Sequence, residues 1–183
     1  MYDLLMKRGR LPVLVALICL GSFVYAVPPR GKTSFPSRVT RAESPDHRYA
    51  IINVENQEEP RHTLFLEDER EKTRRKLMDY GRSVEVLWNP NSRYFIVNDY
   101  AGSNVAECWL FNAEAEGTPV RLSDAVIAKI KNPRELASVQ NNFHLYFAAS
   151  EWRDRNTALI EVWGQGDADP KGFRHIYTYK INP

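Results

Sequence analysis

Asp99 with Tyr100, Asp167 with Asp169, and Glu55 are the residues of this 183-residue chain that come nearest to a chemical constellation. All lie in or beside polar stretches that separate apolar runs, where loops carry function on a rigid frame. Two chemistries fit them. A carboxyl from Asp99 set about 5–10 Å from Asp167 or Asp169 is the equipment of glycosidic hydrolysis. An acidic loop-built face is also what holds a cation or a basic protein partner. Ordinary solvated loop charge is the third reading of the same residues. In Gly164-Gln165-Gly166-Asp167-Ala168-Asp169-Pro170 the two acids stand two apart, as in a calcium loop. An EF-hand needs more ligands and a distal Glu, so no metal is assigned.

Other chemistry is excluded more directly. Ser44, Ser103 and Ser150 sit in no Gly-x-Ser-x-Gly elbow. There is no phosphate loop and no dinucleotide fingerprint, so no cofactor is expected. His47, His62, His144 and His175 show no metal-ligand spacing. With 25 basic and 23 acidic residues the chain lacks the basic excess of a nucleic-acid binder. The run Glu67 to Lys76 changes sign from acidic to basic and has no aromatic to stack a base, which marks a solvated tip.

The elements that must position these acids follow from a repeat. Ser44-Pro45-Asp46-His47-Arg48-Tyr49-Ala50-Ile51-Ile52-Asn53 returns 45 residues later as Asn89-Pro90-Asn91-Ser92-Arg93-Tyr94-Phe95-Ile96-Val97-Asn98. Proline presets φ, the Asx side chain bonds nearby backbone, and the β-branched and aromatic run that follows suits a strand. Each unit is therefore expected as strand, proline turn, strand, loop, strand, turn, strand. Unit one is placed over 38–82, with strands near 38–44, 48–54, 62–67 and 74–79. Unit two covers 83–122, with strands near 83–88, 93–98, 105–112 and 119–122. A degenerate unit three covers 140–183, where Trp152-Arg153-Asp154-Arg155-Asn156 stands in for the turn without its proline. Its strands are expected at 144–151, 158–163 and 173–181.

An insertion over 123–139 has helical marks. Ser123 is the expected cap, Val126, Ile127 and Ile130 share a face, and Pro133 stops the helix near Lys131. Asn132-Pro133 then begins a second short turn. His47 takes the place a turn glycine would fill, which predicts a left-handed residue. Loops 54–61, 99–104 and 165–172 are equivalent between units, so the acids they carry are expected at one end. Trp88, Trp109, Trp152 and Trp163 are expected to pack in the core rather than to form a sugar platform.

The proline-turn motif resembles the repeat of TolB-like and WD-repeat-like β-propellers. Ser44-Pro45-Asp46-His47 and Trp88-Asn89-Pro90-Asn91-Ser92 carry the likeness. Glycine is replaced in both turns, and no Trp-Asp pair ends either unit. The resemblance implies an all-β fold with a short helical insertion, a partial propeller-like stack of about three antiparallel meanders. Three units do not close a ring of four to eight blades. A monomer would stay open, and a homodimer would give six units. Segment 27–37 and the helical insertion are the expected covers of open edges.

The N-terminus is expected to be an address. Lys7, Arg8 and Arg10 precede the apolar run Leu11–Leu20, and Val24 and Ala26 suit cleavage before Val27. This makes 1–26 a signal peptide and 27–183 a single exported domain with no membrane contact. An uncleaved anchor is the alternative. Ile18 before Cys19 is too large for a lipobox. Removing Lys7, Arg8, Arg10 and Asp3 leaves 22 basic against 22 acidic residues, and Cys108 alone, so no internal disulfide can form. The expected function is an exported, non-enzymatic binding or scaffolding module with a protein partner. A small hydrolase or glycan-active enzyme is the alternative.

Overall fold

The computed structural model describes residues 31–181 apart from Pro60. The expected export signal and residues 27–30 lie outside the described residues. A short β1 (Thr33–Phe35) leads into unit one: β2 (Arg41–Glu43), β3 (Tyr49–Glu55), β4 (His62–Asp68) and β5 (Thr73–Tyr80). Unit two is β6 (Val84–Trp88), β7 (Tyr94–Asp99), β8 (Val105–Asn112) and the brief β9 (Val120–Arg121). Helices α1 (Leu122–Ile127) and α2 (Pro133–Asn141) follow, then unit three: β10 (His144–Trp152), β11 (Thr157–Gln165) and β12 (Phe173–Lys180).

The two proline turns are built alike because the same residue types recur. The amide of Ser44 donates to the Tyr49 carbonyl and that of His47 to the Ser44 carbonyl; Asn89 to Tyr94 and Ser92 to Asn89 repeat the pair. Asp46 Oδ1 accepts the Arg48 amide at 3.1 Å, and Asn91 Oδ1 accepts the Arg93 amide at 3.0 Å. His47 has φ 60° and Ser92 φ 62°, so both positions vacated by glycine are left-handed. Unit three lacks the proline and turns one residue sooner, with the Arg153 amide on the Thr157 carbonyl.

Repeat-related side chains also join the units. Trp88 Nε1 of unit two donates to the Ala42 carbonyl of unit one at 3.0 Å. Trp152 Nε1 of unit three donates to the Leu87 carbonyl of unit two at 3.1 Å. Ala42 and Leu87 occupy the same place in their units. Asn98, fully buried, clamps unit three from the other side: its Nδ2 donates to the Ala149 carbonyl at 3.0 Å and its Oδ1 accepts the Ala149 amide at 2.8 Å. The Asn98 side chain satisfies the Ala149 amide and carbonyl, while the two indole N–H groups add a second donor to carbonyls already paired in their own ladders.

Unit two lies between the others. Phe95 and Val97 of β7 pack with Tyr49, Ile51, Leu64 and Leu66 of unit one, while Ile96 packs with Phe147, Ile160 and Val162 of unit three. This is why β7 is a continuous apolar run, whereas β11 alternates buried and half-exposed positions. Burying each large side chain contributes roughly 1.5–3 kcal/mol. Cys108 sits in the second core, and burial pushes its thiol pKa up. It is a core hydrophobe.

Unit one is its own four-stranded sheet, β2-β3-β4-β5. Units two and three share a sheet in the order β1-β6-β7-β8-β10-β11-β12, with β9 on β8. The merger comes from the insertion, which returns the chain beside the start of β8. There Leu145 and Tyr146 pair in parallel with Val105 and Ala106. β1 covers the free edge of β6, and α1 packs on β8 and β12. Ser123 is not the cap of α1. Arg121 holds the cap position without a side-chain capping bond, and Ser123 Oγ donates instead to Glu107 at 2.6 Å, a stronger charged acceptor. α1 ends at Ile127, and α2 begins as expected, with the Asn132 side chain accepting the Arg134 and Glu135 amides.

Candidate functional site

Asp99 and Glu55 are the last residues of β7 and β3, while Asp167 and Asp169 stand in the β11–β12 loop; the β7–β8 and β11–β12 loops both contact the segment that leads into β10. The Leu145 amide bonds the Asn104 carbonyl below the β7–β8 loop. Asn142 Nδ2, just before β10, bonds Asp169 Oδ2 in the β11–β12 loop at 2.9 Å. Each acid nevertheless has its own surroundings. Asp99 is half-buried, its Oδ1 has no hydrogen-bond partner, and burial followed by the charge of Glu107 pushes its pKa up to about 6. The Tyr100 hydroxyl donates to Glu85 at 2.9 Å, and burial raises its pKa. Burial would raise Glu85 as well, but bonds from Lys32, Asn98 and Tyr100 outweigh it and hold that carboxyl low. Asp169 is lowered by hydrogen bonds from Ser138 and Asn142. Asp167 and Glu55 are exposed. No hydrogen bond joins Asp99 to Asp167 or Asp169. Among the described residues no group of three or more His, Cys, Asp or Glu is placed to hold a metal ion.

The opposite end, where the proline turns lie, holds a cavity of about 340 Å³. Strands β1, β2, β6 and β10 bring it together, so every unit contributes. Its wall is Leu87, Trp88 and Trp152, with Pro45 and Pro90 from the two turns. Lys32, Glu43, His47 and Glu151 line it as well. His47 Nδ1 lies 2.7 Å from Glu43 Oε2, and Lys32 Nζ lies 2.9 Å from Glu85. The hydrogen bond with His47, followed by that from Arg41, keeps Glu43 below the ordinary carboxylate range. The sequence carried a signal for this place. Trp88 and Trp152 precede equivalent turns, and Glu43 stands 45 residues before Trp88, in the tryptophan position of unit one. What the spacing did not tell is that the first strands of three units converge there.

No protein-family model matches the chain, and no curated protein matches it. A solved structure is similar: the β-propeller domain of the Trilobed protease from Pyrococcus furiosus, described as having an open velcro topology. The TM-score is 0.51 at 15% identity, over 79% of this chain and 41% of that one. The fold is propeller-like. At this identity the likeness concerns architecture alone, and the chain spans 41% of the length of the structure it matches. The three meanders are thus a partial, open propeller-like stack, and the cavity sits where the first strands of the three units come together.

Proposed function

We propose that the chain is an exported binding or scaffolding module of TolB-like kind, which engages a protein partner at the cavity between the proline turns. One observation carries this reading. A cavity of about 340 Å³ is walled by side chains from all three units and is mainly apolar with a few polar groups at its mouth, the general character of a binding site. The propeller-like fold supports a binding role, since such sheets present loops and turns on a rigid frame. The basic and apolar N-terminal segment supports export. The acidic loops, by contrast, hold acids that are tied to neighbouring side chains, buried singly or dispersed in solvent.

The test is capture from an envelope extract on immobilised chain, with two charge reversals compared. Glu151→Arg changes the cavity mouth, and Asp167→Arg changes the loop end. The reading expects Glu151→Arg to lose the captured protein and Asp167→Arg to keep it. Capture that survives Glu151→Arg and fails with Asp167→Arg would place the partner at the acidic loops instead.

A further inference from the structure

The cavity is chemically lopsided. Its wall is hydrocarbon and aromatic ring. Both indole N–H groups are already donated to backbone carbonyls, so Trp88 and Trp152 offer apolar and π surface and no free donor. Its mouth carries two carboxylates. Glu43 is held ionised by its neighbours, and Glu151 is exposed with no hydrogen bond or ion pair among the described residues. The cations around it are engaged. Lys32 is bound to Glu85, and Arg41 is shared among Glu43, Glu67 and Glu69. The group that satisfies this arrangement has an apolar stem and a positive head.

We infer that the cavity receives an arginine or lysine side chain from an extended segment of a protein partner. The stem lies along Trp88, Trp152 and Leu87, and the head meets Glu151 with Glu43 beside it. A cation against indole rings and an unpaired carboxylate gains from both the ring quadrupole and the charge. An extended segment fits because, among the described residues, β1 and β2 are each the end strand of their sheet and both border the cavity. Unpaired strand edges accept main-chain hydrogen bonds from an added strand. The inference rests on the binding-module reading and names the chemistry of its ligand.

The test uses the purified chain and fluorescein-labelled nonapeptides of Gly and Ser with one central residue varied. That residue is arginine, or citrulline, its uncharged isostere. Fluorescence anisotropy is expected to show the arginine peptide binding about tenfold tighter than the citrulline peptide, with the preference weakening in high salt. Glu151→Gln is expected to remove most of that preference while leaving the melting temperature unchanged. Equal binding of the two peptides, binding of neither, or an intact preference in Glu151→Gln overturns the inference. The capture experiment separates the two levels. Cavity-dependent capture without an arginine preference leaves the binding module standing and removes only the ligand class. Loss of both removes both.

Discussion

Replacing Asp99 by Asn is expected to stabilise the protein at neutral pH, and by an amount that vanishes in acid. Asp99 Oδ1 is buried without a hydrogen-bond partner, and Glu107 adds like charge nearby. The folded protein therefore disfavours the ionised form, and the pKa moves from the ordinary 3.8 to about 6. At roughly 1.4 kcal/mol per pH unit, that difference corresponds to about 3 kcal/mol. Solvent screening at a half-buried carboxyl brings the expected effect to about 1–2 kcal/mol. The sign follows from linkage. A carboxyl whose pKa is raised on folding binds its proton more tightly in the native state. Its penalty is fully present above about 6 and is relieved as pH falls from there to 3.8. Urea unfolding of the parent and Asp99→Asn at a series of pH values from 4 to 8 measures this. The variant should be the more stable at pH 8, and the two curves should converge near pH 4. A variant less stable at pH 8, or a gap that does not close in acid, refutes the placement of Asp99 as a singly buried, unpartnered acid.

Four further outcomes follow from the joints, a turn and the core. Asn98→Ala strands the amide and carbonyl of Ala149 in the core, so denaturant unfolding should show a loss of roughly 2–4 kcal/mol, against little change for Glu58→Ala at an exposed loop position. Trp152→Phe keeps a ring in the second core but loses the indole bond that ties unit three to the Leu87 carbonyl and leaves space where the larger ring stood, and should cost about 1–3 kcal/mol in the same assay. Lys72 has φ 53° at the β4–β5 turn and only an exposed pair with Glu69; Lys72→Gly should stabilise by about 1 kcal/mol, read as a higher melting temperature. Cys108, fully buried, should resist iodoacetamide in the native protein and react once unfolded.

Much of the architecture was legible because the repeat is local chemistry. The Ser-Pro-Asp-His and Asn-Pro-Asn-Ser turns declare themselves, and each is followed by a β-branched or aromatic run that starts the next strand within a residue or two of its place. His47 in a left-handed conformation followed from the missing glycine. What stayed hidden depends on partners distant in sequence. Nothing near Ser123 announces that Glu107 will claim its hydroxyl. Nothing in His144-Leu145-Tyr146 tells that they will run parallel to the start of β8 and join two units into one sheet. Of the four tryptophans expected in the core, Trp152 is there and Trp88 and Trp109 pack half-buried against the core, whereas Trp163 lies outside both cores, stacked on Tyr146. The N–H groups of Trp88 and Trp152, which tie each unit to a carbonyl of the one before, depend on how the units stack. For the same reason the acids drew attention by composition, while the cavity at the other end is assembled from a few residues on each of four strands and two turns.

The claim that the proline-turn end is the binding end is tested most directly by placing p-benzoylphenylalanine at position 151 or at position 167 and irradiating cells that express the full chain. The account predicts a cross-linked protein from position 151 and none from position 167. Cross-linking from position 167 with none from 151 would contradict it.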